Sequence, residues 1–208
     1  MNEPGTPSRD VRILRTLIRS FFADYLQIVE PDAVGGLRLD QVAFRRKLLP
    51  DGSGLLAEVA CRTEEESVII LVRIEPEMLV PGEISFRISR SLRALRLHYV
   101  KPVLASAVYL QGGRPGLHLE SGVVARACGI ETARLYFTTF GLTESRAEYF
   151  LERPEPLAWV FAARMRPTRR TPEEHRRACL ERIAGAALDE KRRTLLRRSV
   201  KWFLGAGR

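Results

Sequence analysis

The chain has few of the residues that build metal clusters or covalent frameworks. Its 208 residues include only three cysteines, Cys61, Cys128 and Cys179, which are odd in number, far apart and without CxxC spacing. That pattern argues against a disulfide framework and a zinc site, and fits reduced thiols in a cytoplasmic protein. The three histidines, His98, His118 and His175, are scattered without paired spacing and read as structural or surface residues. No uncharged apolar run approaches the ~18–20 residues that a membrane span needs, so no membrane partner is expected. The segment Met1 to Asp10 is polar and acidic before it turns basic, unlike a signal peptide.

What is present is the composition of a soluble globular protein, 45% apolar and 28% charged. The length suits one domain with a sizeable core. The net charge of +9 is unevenly placed: residues 164–208 hold 14 Lys+Arg against 5 Asp+Glu, and the remaining 163 residues hold 20 of each sign. A basic segment of this kind favours a polyanion, most often nucleic acid, through phosphate contacts and counterion release. A solvated helical face accounts for the same count.

Val11 to Val29 carries apolar residues at helical spacing, with Asp10 placed as N-cap and Pro31 as stop. After the turn-rich Val34-Gly35-Gly36 come a short strand near Val42-Ala43-Phe44 and a hairpin. The hairpin joins Leu55–Cys61 to Val68–Ile74 across the polar break Thr63-Glu64-Glu65-Glu66. Pro81-Gly82 breaks the chain before a helix over Phe86–Tyr99, whose arginines recur at Arg87, Arg90, Arg93 and Arg96. Val103–Leu110 suits a buried strand, Gln111–Gly116 a turn and Arg134–Leu142 another strand. Helices follow over Pro156–Met165, from Thr171 (N-cap, with Pro172 at the first helical position and Glu174 three residues on), and over Leu188–Leu204. Strands mixed with helices around one small sheet mean an α/β or α+β core. The reading divides the chain into a core over 1–165 and a basic helical appendage over 166–208.

Three carboxylates stand out around the hairpin: Glu58, and then Glu75-Pro76-Glu77. Alternation along a strand puts Arg73, Glu75 and Glu77 on one face, about 7 Å between neighbours. A turn near residues 65 and 66 sets Glu58 opposite Arg73 and beside Glu75. Clustered carboxylate oxygens of this kind suit Mg²⁺ or Mn²⁺. Without such a metal, the same residues read as strand-end charges facing solvent. Asp24, on the first helix, is an accessory acid or a surface charge. Arg73, a charge inside an apolar strand, either braces a phosphate or pairs with Glu58 or Glu75.

Together with Phe21-Phe22-x-Asp24-Tyr25-Leu26, Glu30-Pro31, Phe86-Arg87-Ile88, the strand Lys101-Pro102-Val103-Leu104 to Tyr109-Leu110, and Pro156-Leu157-Ala158-Trp159, this hairpin resembles the recombination-promoting nuclease and transposase-like group of the PD-(D/E)XK superfamily. The order and spacing of several motifs, over most of the chain, carry the resemblance. It implies a restriction-endonuclease-like mixed sheet flanked by helices, and Mg²⁺-dependent (or Mn²⁺-dependent) cleavage of DNA. By position Glu58 takes the place of the family's aspartate and Glu75 that of its glutamate, as catalytic residues and metal ligands. Glu77 falls where Gln or Lys is expected, which exchanges a neutral or positive group near the phosphate for a negative one. Arg73, Arg87 and Arg90 are the expected DNA contacts. The alternative is a catalytically inactive descendant that binds DNA or a protein partner. Beside DNA, a second copy of the chain, as a homo-oligomer, is compatible with the sequence.

Overall fold

The computed structural model describes residues 7–45, 54–63, 66–77, 83–128, 130–143 and 145–205, with backbone alone at 96–97, 121–127 and 132–133. The hairpin turn at Glu64-Glu65, the break at Pro81-Gly82, the side chain of Arg96 and the first six residues lie outside what is described.

Six strands form one mixed sheet in the order β1-β2-β3-β4-β6-β5. They are β1 (Leu37–Arg45), β2 (Gly54–Cys61), β3 (Ser67–Glu75), β4 (Val103–Tyr109), β5 (Gly116–Ala127) and β6 (Ile130–Gly141). β1, β2 and β3 are joined antiparallel, as are β5 and β6, whereas β4 runs parallel to both of its neighbours. The β3-to-β4 crossover is made by α4 (Glu83–His98), as a parallel connection requires. The expected mixed sheet with flanking helices is therefore what the chain builds.

Strand alternation divides the core in two. Even-numbered β3 residues Ile70, Val72 and Ile74 face a large cluster, and odd-numbered Ile69 and Leu71 face a smaller one. The smaller cluster is closed by α4 through Ile84, Ile88, Leu92 and Leu95, at spacings of four, four and three. The larger is covered by α1 (Arg9–Ser20), α2 (Phe22–Val29), α5 (Ala147–Glu152), α6 (Pro156–Ala162), α7 (Pro172–Ala184) and α8 (Glu190–Gly205). A four-residue turn of helix, α3 (Pro31–Val34), leads into β1. The C-terminal helices belong to this larger core: Cys179 and Ile183 of α7, and Leu196, Val200 and Phe203 of α8, are buried in it beside Leu14 and Phe161.

The first helical segment is not continuous. It breaks at Phe21, whose φ of −128° and ψ of 48° leave the helical region, and its cap is Ser8, one turn ahead of Val11, with Asp10 inside the first turn. Buried Phe21 and Phe22 turn both halves onto the sheet, which periodicity alone does not reveal. Thr171 and Glu174 form the reciprocal capping box that their spacing predicts. At the 111–116 turn, Gly113 and Gly116 hold positive φ values, and a Cβ at Gly141 would lie 2.3 Å from the Arg114 carbonyl oxygen. Only glycine permits that approach of the turn to β6.

Candidate functional site

The hairpin register decides where the carboxylates go. Glu58 pairs with Ile69, and Gly54 is the residue opposite Arg73. The expected pairing of Glu58 with Arg73 is thus displaced by four residues. The displacement is even, so every side chain stays on its predicted face, and the apolar alternation is satisfied by either register. In the observed register the Cys61 amide donates to the Glu66 carbonyl at 2.9 Å, just beyond the last ladder pair, Ala60 with Ser67. Glu58 and Glu75 consequently share a sheet face yet stand at its two ends. They are about 20 Å apart along the strands, six residues at roughly 3.3 Å each.

Glu75 closes β3 and is 1% exposed. Arg73 Nε donates to its Oε1 at 2.9 Å, and an Arg87 guanidinium nitrogen donates to its Oε2 at 3.2 Å. Arg73 is itself buried, whereas Arg87, reaching in from the first turns of α4, is partly exposed and also binds Glu83 at 2.7 Å. Both oxygens of Glu75 are therefore engaged by cations of the chain itself. Tyr109 pairs with Glu75 across the parallel β3–β4 ladder. Burial first, then the negative charges of Glu75 and Glu120, push its hydroxyl up to about 12.

Glu58 keeps different company. It accepts from Lys101, from Arg45 at 2.7 Å and from the Ser67 hydroxyl at 2.9 Å. Hydrogen bonds from Lys101 and then Arg45 lower its carboxyl from the ordinary 4.5 to about 2. Lys101, Arg45 and Ser67 as its partners were not legible, because they follow from the register and from β4 lying parallel beside β3.

Glu77 lies past the strand end and is exposed. Pro76 falls just outside β3, where its missing N–H costs no ladder bond. Arg90 is exposed on α4, while Arg73 is too deeply buried to reach a phosphate, so its role is ion pairing. Asp24 accepts from the Leu157 amide at 3.2 Å, near the start of α6, and burial raises its carboxyl. It acts as a tertiary helix cap.

A divalent cation needs several hard oxygen ligands converging on one point. Here Glu75 is occupied by two guanidiniums, Glu58 is a sheet-length away, and no group of three His, Cys, Asp or Glu side chains converges among the described residues. The donor set does not fit the expected Mg²⁺ or Mn²⁺ in this arrangement. A metal on Glu75 would also stand against the Arg73 charge in a low-dielectric surrounding. No helix among the described residues is long and apolar enough to cross a membrane. Comparisons with protein-family models, with curated proteins and with solved structures find no match.

Proposed function

We propose that the chain is a non-catalytic nucleic-acid-binding protein on a restriction-endonuclease-like sheet, a descendant of the nuclease family it resembles. The observation that carries this reading is the Arg73–Glu75–Arg87 arrangement, which commits the carboxylate at the family's glutamate position to internal ion pairs. A catalytic site would need that carboxylate to hold a metal that activates water and neutralises a phosphate. The basic excess supports the binding half of the reading. Arg170, just before α7, and Arg176, Arg177, Arg192, Arg198 and Lys201 of α7 and α8 are all exposed, while Cys179, Ile183, Leu196, Val200 and Phe203 of the two helices are buried. Phosphate-driven affinity falls steeply with salt.

The test is retention of DNA across a salt series, run beside a cleavage assay on plasmid and single-stranded DNA with Mg²⁺ or Mn²⁺. Salt-sensitive retention without cleavage is the expected result. Metal-dependent nicking that disappears in Glu75→Ala would restore the nuclease reading. Absence of DNA binding at low salt would remove nucleic acid as the partner.

A further inference from the structure

The arginines of α4 are the weaker candidates for a nucleic-acid contact, because Arg87 is already held by Glu75 and Glu83. A different surface has the composition such a contact needs. Helices α1 and α8 lie side by side, and between them runs a groove of about 680 Å³. Arg9, Arg12, Ile13 and Thr16 of α1 line one wall, each set by the i, i+3, i+4, i+7 spacing of a single helix face. From α8, Leu195, Arg198, Ser199 and Trp202 repeat that spacing on the other wall, with Lys201 beside them.

Two properties separate this groove from two others among the described residues. First, among the described residues its lining holds Arg9, Arg12, Arg198 and Lys201 and no carboxylate. A groove between α5, α6 and α7 includes Glu148, Glu152 and Glu181, and one between α7 and α8 includes Glu173 and Glu181, so their cations are offset locally. Second, the floor is apolar and carries a flat platform. The Arg9 guanidinium lies 3.7 Å from the centroid of the Trp202 ring, and the indole N–H donates to Asp10 at 2.6 Å, which fixes the ring. Asp10 in turn receives Arg164 at 3.5 Å from the core side. The guanidinium over the indole presents a cationic, aromatic surface of the kind on which nucleobases stack.

Resting on the nucleic-acid-binding reading above, we infer that the α1–α8 groove is the binding site, and that its occupant is single-stranded nucleic acid. Phosphates lie against Arg12, Arg198 and Lys201, and an unpaired base stacks at the Arg9–Trp202 platform. A duplex keeps its bases within the helix and leaves the apolar floor and platform unused. An anionic membrane surface offers phosphates but no π-face for the platform.

Anisotropy of a labelled oligothymidylate, of the same sequence annealed to its complement, and of anionic phosphatidylserine vesicles compared by co-sedimentation provides the test. It uses the full chain, Arg12→Glu/Arg198→Glu, and Arg90→Glu/Arg93→Glu on α4 as the control. All four positions are exposed, so circular dichroism and the melting temperature should not change. The groove variant is expected to lose roughly tenfold or more in single-strand affinity, with the salt slope falling by about 1.4 for two lost contacts at roughly 0.7 each. The α4 variant should stay within about twofold, by the same counting. Equal losses in both variants, tighter binding of the duplex, or vesicle binding that alone responds to the groove variant would each overturn the inference while leaving the broader reading to its own test. No DNA binding by the unsubstituted chain at low salt would overturn both.

Discussion

Glu58 and Glu75 sit on one face of one sheet, both paired with two cations, and they represent opposite kinds of ion pair. Glu75 and Arg73 are both taken out of water, and their pairing offsets part of the cost of burying each. Glu58 meets Lys101 and Arg45, whose side chains are 36% and 47% exposed and remain in contact with water. The comparison teaches that a count of salt bridges says little about stability. What matters is whether the charge left behind, on removal of its partner, can return to water.

The largest expected effect follows from breaking the buried pair. Glu75→Ala removes the buried carboxylate paired with Arg73 and should destabilise the protein by about 3–5 kcal/mol, read from urea unfolding midpoints. Replacing both members by apolar residues, Arg73→Met with Glu75→Leu, sharpens the comparison, because the double variant should cost no more than about 1 kcal/mol. Arg87→Ala removes only the partly exposed partner and leaves Arg73 in place, so a loss under about 1 kcal/mol is expected in the same denaturation. Glu58→Gln should cost least at neutral pH, a few tenths to about 1 kcal/mol, and that difference should shrink in 1 M salt where exposed charges are screened.

Acid supplies a further distinction. The Glu58 carboxyl is lowered in the folded chain from 4.5 to about 2, so its contribution is complete above 4.5 and is lost as the pH falls through about 2. Melting temperatures measured between those limits should decline faster for the unsubstituted chain than for Glu58→Gln. Parallel curves would mean that Glu58 gains nothing from Lys101 and Arg45.

The parts of the molecule legible in the sequence are those governed by local chemistry. The apolar runs that became β3 and β4, the helix over α4 and the Thr171–Glu174 cap all follow from side-chain type and spacing. Strand β5 is not legible as a core strand: it lies at the sheet edge and carries no apolar run, and its Leu117 and Leu119 are 39% and 72% exposed. Nor does α5 announce itself in six residues, because so short a helix is held by packing of Ala147, Phe150 and Leu151. The candidate site was half legible. Alternation assigns Arg73 and Glu75 to one face, but it cannot tell registers apart when they differ by an even number, and the metal-like grouping of Glu58 with Glu75 rested on that difference. The α1–α8 groove joins residues nearly two hundred positions apart, so only the tertiary fold reveals it.

A double-mutant cycle between Arg73 and Glu75 tests the central claim most directly, with each variant's unfolding followed with and without Mn²⁺. Commitment of Glu75 to Arg73 predicts a coupling of about 3 kcal/mol or more, unaffected by the metal. Coupling near zero, with Mn²⁺ stabilising the unsubstituted chain but not Glu75→Gln, would show instead that this carboxylate is kept for a cation.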